Sequence, residues 1–417
     1  MKTLWRIVKY GLIPLVLVIV LAIIYISIGF NKLSFDDRFD TASDYSSYYS
    51  NSYESARDSF RVTAGRLALT YENVQLKEIV VPCSFDDDLT LGVCYIPAQG
   101  DGQNLLILSS GVHGVEGYVG HAAQMLFIKE FINADLLENM GVLLIHSINP
   151  YGFKYNRRVT ENNVDLNRNS SLSDELYSKV NEGYPKVYSL INPKGKVNTK
   201  SFVNRFFILK AANEIRKASI PVLRQAILQG QYQFTEGLYY GGQGLEPQID
   251  SLKPLIASIA EPYQTIMAID LHTGYGERGR LHFFPNPIEM ERRIKLEAMY
   301  NGYEIDWGDT DEFYTTTGDF VDFMDDICAG KEFYPMSFEY GTLNSQTTLG
   351  SMKSLHIMIL ENQGSNHGYK SPKDSIKVVN DLLEMYNSKS ENWRNYIMDQ
   401  THEVFVKVLP RFVANKN

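Results

Sequence analysis

Three separated segments put metal- and proton-handling residues at the ends of short apolar runs. They are S-S-G-V-H-G-V-E-G at 109–117, N-V-D-L-N-R-N at 163–169 and A-I-D-L-H-T-G at 268–274. His113, Glu116 and His272 each follow a run that reads as a strand. This pattern constrains the fold more than any bulk property, because rigid strands can aim ligands from their ends into one shared site.

The rest of the chain alternates in the same way. K-E-I-V-V-P and L-G-V-C-Y-I-P read as a β-hairpin, and N-L-L-I-L-S-S around Leu106 reads as a buried strand. Residues 118–133 have helical spacing, and M-G-V-L-L-I-H-S-I-N-P, ending at Pro150, is another buried run. Residues 201–230 are helix-rich with a break near Pro221. T-I-M-A-I-D-L, ending at Leu271, and P-M-S-F-E-Y, ending at Tyr340, are further strands. Tyr49, Tyr53, Ala56, Phe60 and Ala64 recur at steps of three or four, which predicts an amphipathic helix over 45–67. Buried strands alternating with helices indicate one α/β domain with a mixed, largely parallel central sheet flanked by helices. In such sheets the site lies off the carboxyl ends of the strands.

The N-terminus differs in character. Residues 11–30 carry no charge and are dominated by Leu, Ile and Val; roughly 20 apolar residues suffice for a membrane-spanning helix. Lys2, Arg6 and Lys9 precede this stretch, and Asp36, Asp37 and Asp40 follow it. The expectation is one transmembrane helix, N-terminus cytoplasmic and catalytic domain extracytoplasmic. A cleaved signal peptide is the competing reading; it would have a shorter apolar core and a small-residue cleavage site, and none follows Phe30. Residues 31–44 then read as a polar tether, 45–390 as the catalytic domain and 391–417 as a C-terminal tail or helix. Residues 170–265 read as a helix-rich elaboration.

With 417 residues, the chain has ample length for a large core, and its net charge of -9 argues against a nucleic-acid partner. Cys83, Cys94 and Cys328 make no disulfide framework; a local Cys83–Cys94 bridge is conceivable, but two small apolar strand residues fit the pattern better.

His113 and Glu116, two residues apart with Gly114 and Gly117 interleaved, can turn an imidazole and a carboxylate onto one cation. His272 supplies a third ligand from another strand, with Asp270 on the same strand face to orient it. Two His, one Glu and an open position are a hydrolytic zinc arrangement. Glu339 is a carboxylate inside an otherwise apolar strand, which is costly unless it is paired or functional.

The blocks H-G-V-E, N-P-Y-G with R-x-x-x-x-x-V-D-L-N-R-N, D-L-H, F-Y-T-T-T-G and F-E-Y-G resemble, in this order, those of the zinc carboxypeptidase (funnelin) superfamily. That superfamily includes metallocarboxypeptidases, murein-peptide amidases and the aspartoacylase and succinylglutamate desuccinylase deacylases. The chain is most similar to a branch known as a domain of unknown function, which shares the S-G-V-H-G-V-E-G block and a Y-x-x-A-R-x-x-F helix, here Tyr53, Ala56, Arg57 and Phe60. The resemblance implies a single zinc-carboxypeptidase-like domain holding one zinc ion through His113, Glu116 and His272. It implies Glu339 as general base and Arg158 as the oxyanion-stabilising arginine, with Arg157 its neighbour in the substrate-binding set. Asn167 and Arg168 would hold a substrate carboxylate, and Tyr314 would close over it, with Gly318 four residues on. Ser170 stands where an aromatic residue usually follows N-R-N, and 170–262 have no counterpart in the digestive-type enzymes.

These readings lead to a membrane-anchored zinc hydrolase that cleaves a peptide or other amide near a free carboxylate. An N-acyl amino-acid deacylase keeps the metal and changes the substrate. A zinc-binding scaffold without turnover is the third reading.

Overall fold

A computed structural model describes residues 13–32, 35, 37–217, 220–307 and 316–414. Its strands are β1 Gln75–Val80, β2 Thr90–Ile96, β3 Asn104–Ser110, β4 Met140–His146, β5 Thr265–Thr273, β6 Leu281–Phe284 and β7 Glu332–Tyr340. The helices of eight residues or more are α1 Ile13–Phe30, α2 Tyr53–Thr70, α3 Gly117–Glu130, α4 Tyr184–Ile191, α5 Phe207–Lys217, α6 Ile220–Leu228, α7 Pro247–Ala260, α8 Met290–Met299, α9 Phe320–Ile327, α10 Thr348–His367, α11 Pro372–Tyr386 and α12 Glu391–Ala414.

The strands form one mixed α/β sheet in the order β1-β2-β4-β3-β5-β7-β6. The central run β4-β3-β5-β7 is parallel, while β1, β2 and β6 join antiparallel at the two sides. Alternation along β3 shows why both faces are covered. Leu106 and Leu108 enter one core with α3, α8 and α12; Leu105 and Ile107 enter the other with α7 and α9. A third apolar cluster joins α4, α5 and α6 to α10 and α11.

The helix expected over 45–67 begins later, at Tyr53. Ser52 caps it, its hydroxyl accepting from Ser55 N–H, and residues 46–48 form a separate 3-10 turn. The Y-x-x-A-R-x-x-F residues do structural work. Tyr53 Oη donates to Thr90 O at 2.8 Å, the Arg57 fork grips Asp88, and Phe60 stacks on His146 at 4.5 Å. Tyr53 and Arg57 clamp α2 to the β1–β2 hairpin, and Phe60 packs it against β4. Cys83, Cys94 and Cys328 are free thiols, so no 83–94 bridge exists.

Three segments outside the sheet can be set against their expected bounds. Of the tail or helix expected over 391–417, residues 391–414 are the helix α12: its Trp393, Ile397, Phe405 and Phe412 are buried in the main core, and Trp393 Nε1 donates to Gly341 O. The 31–44 segment does not stand off as a tether over its later part. Asp37 meets Arg278 Nε at 2.6 Å, and Thr41 and Ser43 both donate to Asp399. Of the expected 11–30 span, Gly11 and Leu12 lie outside the described residues. The remaining 18 residues form α1, about 27 Å long at ~1.5 Å per residue. Among the described residues no helix is long and apolar enough to cross a membrane.

Candidate active site

The site lies where the parallel strands end. β3 leads into the loop carrying His113, and the turn Gly114–Glu116 delivers Glu116 to the start of α3. Backbone bonds pin this loop: Gly114 N–H donates to Arg158 O at 3.1 Å and Val115 N–H to Arg157 O at 2.9 Å. Gly114 is required by close approach, since a Cβ there would come within 2.2 Å of the Gly152 backbone. His272 sits near the end of β5, in register with Glu339 on β7.

His113, Glu116 and His272 converge in a buried cluster whose ligand atoms all lie within 4.8 Å of one another. Nδ1 of His113 is 2.9 Å from one Glu116 oxygen, and Nδ1 of His272 is 3.0 Å from the other. The two Nδ1 atoms are 3.3 Å apart. Ligands held ~2.0–2.1 Å from a tetrahedral zinc ion are separated by about 3.3 Å, so the donor set fits that cation.

The opposite ring nitrogens are also held. His113 Nε2 is 3.1 Å from Asp165 Oδ1, and His272 Nε2 is 2.7 Å from Asp270 Oδ2. Asp270 is itself held by Ser109 Oγ at 2.6 Å. Carboxylates on Nε2 favour the tautomer that leaves Nδ1 as the ligand atom.

Burial opposes the charges in this cluster, and their neighbours outweigh it. Burial raises Glu116, but His113 and His272 hold it down at about 2. Burial lowers His272, yet Asp270 and Glu116 drive it well above the usual imidazole range.

Asp165 is fully buried and joins the cluster to Arg158, whose Nε lies 2.9 Å from Asp165 Oδ2. Burial pushes its carboxyl up, but Arg158 and His113 bring it well below the carboxylate range. Arg158 Nη1 reaches Glu116 at 3.5 Å and Tyr386 Oη at 3.4 Å. Its guanidinium therefore sits beside the metal-binding group, at the wall of a cavity of about 360 Å³. Glu339 opens onto the same cavity. Its Oε2 has no hydrogen-bond partner among the described residues, and burial raises its pKa to about 8.

The remaining expected site residues are placed unevenly. Asn167 and Arg168 line the cavity, but their groups are partly committed. Asn167 Oδ1 accepts from Phe320 N–H, and Arg168 donates to Leu228 O and Asn167 O, which leaves one N–H on each Nη. Arg157 is corrected. It does not line the cavity; it pairs with Glu361 at 2.7 Å and bonds Asn163 Oδ1. Tyr314 lies outside the described residues. Gly318 has φ +75 and packs on the Arg168 backbone, where a Cβ would come within 2.4 Å.

Three contributors had no assigned role in the sequence reading: Asp165, Tyr386 and Asp319. The signal for Asp165 was available, as a lone carboxylate between Val164 and Leu166. Tyr386 carries no local motif. Tyr239, in the aromatic G-L-Y-Y-G-G stretch, lies with its ring 5.5 Å from the Arg158 guanidinium and 5.8 Å from that of Arg168.

In fold the chain is similar to bovine thrombin-activatable fibrinolysis inhibitor in complex with tick carboxypeptidase inhibitor (13% identity, 77% of this chain and 97% of that one, TM-score 0.41). It is also similar to carboxypeptidase A from Helicoverpa armigera (13% identity, 85% and 76%, TM-score 0.41). A third is succinylglutamate desuccinylase/aspartoacylase from Rhodobacter sphaeroides (13% identity, 72% and 66%, TM-score 0.35). No curated protein matches the chain. Residues 49–400 match the family described as Protein of unknown function (DUF2817), and the chain belongs to that family.

Proposed function

We propose that the chain is a zinc-dependent hydrolase that cleaves an amide bond near a free carboxylate. The observation that carries this reading is one cavity lined by His113 and His272 of the His113–Glu116–His272 cluster, by Glu339 with its unpartnered Oε2 and by the guanidinium of Arg158. Zinc in such a site polarises a carbonyl and lowers the pKa of a water to about 7. Glu339 is placed to take a proton from the attacking water and return it to the leaving amine. Arg158 is permanently charged and meets negative charge developing on the carbonyl oxygen. The remaining N–H groups of Arg168 are available to a carboxylate in the same cavity. Overall, the water oxygen ends on the acyl carbon, the C–N bond breaks, and a carboxylate and an amine are released.

The N-terminal helix supports a membrane location for this chemistry. Leu15, Leu17, Val18 and Leu21 of α1 are all more than half exposed, and a bare apolar helix is disfavoured in water. In this reading α1, with the residues before it, anchors the chain and the catalytic domain lies outside the cytoplasm.

The test is hydrolysis of C-terminal peptides and N-acyl amino acids by the zinc-loaded full chain. Glu339→Gln is expected to keep its zinc and lose ~10²–10⁴-fold in kcat. Unchanged turnover in Glu339→Gln contradicts its role as the base; no turnover in a zinc-loaded wild type contradicts the hydrolase reading and favours a scaffold.

A further inference from the structure

The cavity has two kinds of wall. Around His272 it is polar, with Glu339, Asp319 and Asn167. Away from them, Leu190 of α4, Leu223 and Ile227 of α6, and Met352, Leu355 and Met358 of α10 form an apolar arm. The two regions meet at Tyr386, whose hydroxyl lies 3.4 Å from Arg158 Nη1 and 3.1 Å from Met358 Sδ. A hydrocarbon placed in the arm would therefore start beside the residues that handle the carbonyl. Arg224, Thr348, Ser351 and Ser354 are polar interruptions along this wall. A peptide laid there would bring in more backbone N–H and C=O groups than these can satisfy, which is unfavourable.

One helix that walls the arm, α10, also holds the end of α1, together with α5. The Phe30 ring lies 6.3 Å from Phe207 of α5 and 5.8 Å from His356 of α10. Asn31 Nδ2 donates to Arg205 O at 3.0 Å. Phe202 and Val203, just before Arg205, and Val222 on α6 are 72%, 56% and 59% exposed. An exposed apolar rim thus continues from the apolar N-terminal helix onto the outside of the arm.

We propose that the substrate is a membrane-derived amphiphile, a hydrocarbon acyl chain joined by an amide to an amino acid with a free carboxylate. The proposal rests on the amide-hydrolase reading above and names its substrate class. Water adds its oxygen to the acyl carbon and the C–N bond breaks. The products are a fatty carboxylate, which keeps the chain, and the free amino acid, whose amine takes the proton.

The test uses the zinc-loaded full chain in detergent micelles, with the common amino acids in acetyl, hexanoyl, octanoyl and myristoyl forms and a set of C-terminal peptides. On the amino acids that are cleaved, kcat/KM is expected to rise about fourfold per added methylene, the equivalent of ~0.8 kcal/mol, until the arm is filled. Leu223→Trp and Met352→Trp, which narrow the arm from different helices, are expected to cut the octanoyl-to-acetyl ratio at least tenfold. That readout separates binding in the arm from partition into micelles. Equal rates on acetyl and octanoyl forms, or a ratio unmoved in both variants, would overturn the substrate class and leave the amide-hydrolase reading standing. Failure to cleave any amide, peptides included, would overturn both.

Discussion

Asp165→Asn is the substitution that most sharply probes how the site is held together. Asp165 is fully buried and accepts from three donors: Arg158 Nε at 2.9 Å, His113 Nε2 at 3.1 Å and Asn167 N–H at 3.0 Å. Asparagine keeps the volume but has one acceptor oxygen, so its NH₂ group must face a donor from Arg158 or His113. A charge-assisted hydrogen bond contributes ~1.5–3 kcal/mol, and leaving a buried charge without its partner costs about 3–5 kcal/mol. The expected loss is therefore ~3–5 kcal/mol, a large part of a total stability of roughly 5–15 kcal/mol. Urea unfolding of the metal-free chain at neutral pH measures it. Zinc affinity, read by competition with a chelator, should fall about 10–100-fold because the His113 ring loses its orienting carboxylate. Arg158→Met should cost much less in the Asp165→Asn background than in the wild type. A loss below ~1 kcal/mol, or effects of the two substitutions that simply add, would refute the coupling.

Other expectations follow from the same geometry. Glu339, raised to about 8 in the folded metal-free chain, starts from about 4.3 when unfolded. Its contribution to stability is full below about 4.3 and is lost as pH rises through about 8; Glu339→Gln should flatten that decline in metal-free unfolding curves. Asp165 has the opposite sign. Its folded pKa is depressed, so its contribution is present above about 3.9 and lost as pH falls, and Asp165→Asn should weaken acid unfolding. Gly114→Ala places a Cβ against the Gly152 backbone and should reduce both zinc affinity and thermal stability. Arg157→Met breaks the buried pair with Glu361; an unfolding loss of ~3–5 kcal/mol is expected, with the KM of the folded fraction unchanged.

Much of the fold was legible because the parallel strands are buried on both faces and so appear as continuous apolar runs. β6 was not, since L-H-F-F is too short to show a period. Tyr45, Tyr48 and Tyr49 share the helical spacing of the residues after Tyr53 but precede the Ser52 cap, so periodicity alone overran the true start. The end of the chain stayed open between tail and helix because the burial of Trp393 and Phe405 depends on the distant β6, β7 and α3.

At the site, each residue placed by a strand end could be found from its neighbours in sequence. Those set by long-range contacts could not. Arg157 and Arg158 are adjacent and chemically identical, and their separation into a structural pair and a cavity arginine is decided by where Glu361 and Asp165 lie. The apolar arm draws on α4 and α6 together with α10, which lies more than a hundred residues further along the chain, and no local pattern announces it.

The most direct measurement of the central claim is anomalous diffraction at the zinc edge from crystals of the zinc-loaded chain. The account predicts one peak bound by Nδ1 of His113, Nδ1 of His272 and the Glu116 carboxylate at ~2.0–2.2 Å, with Glu339 and Arg158 facing it across the cavity. No peak among these three residues, or a zinc ion bound through other side chains, would contradict it.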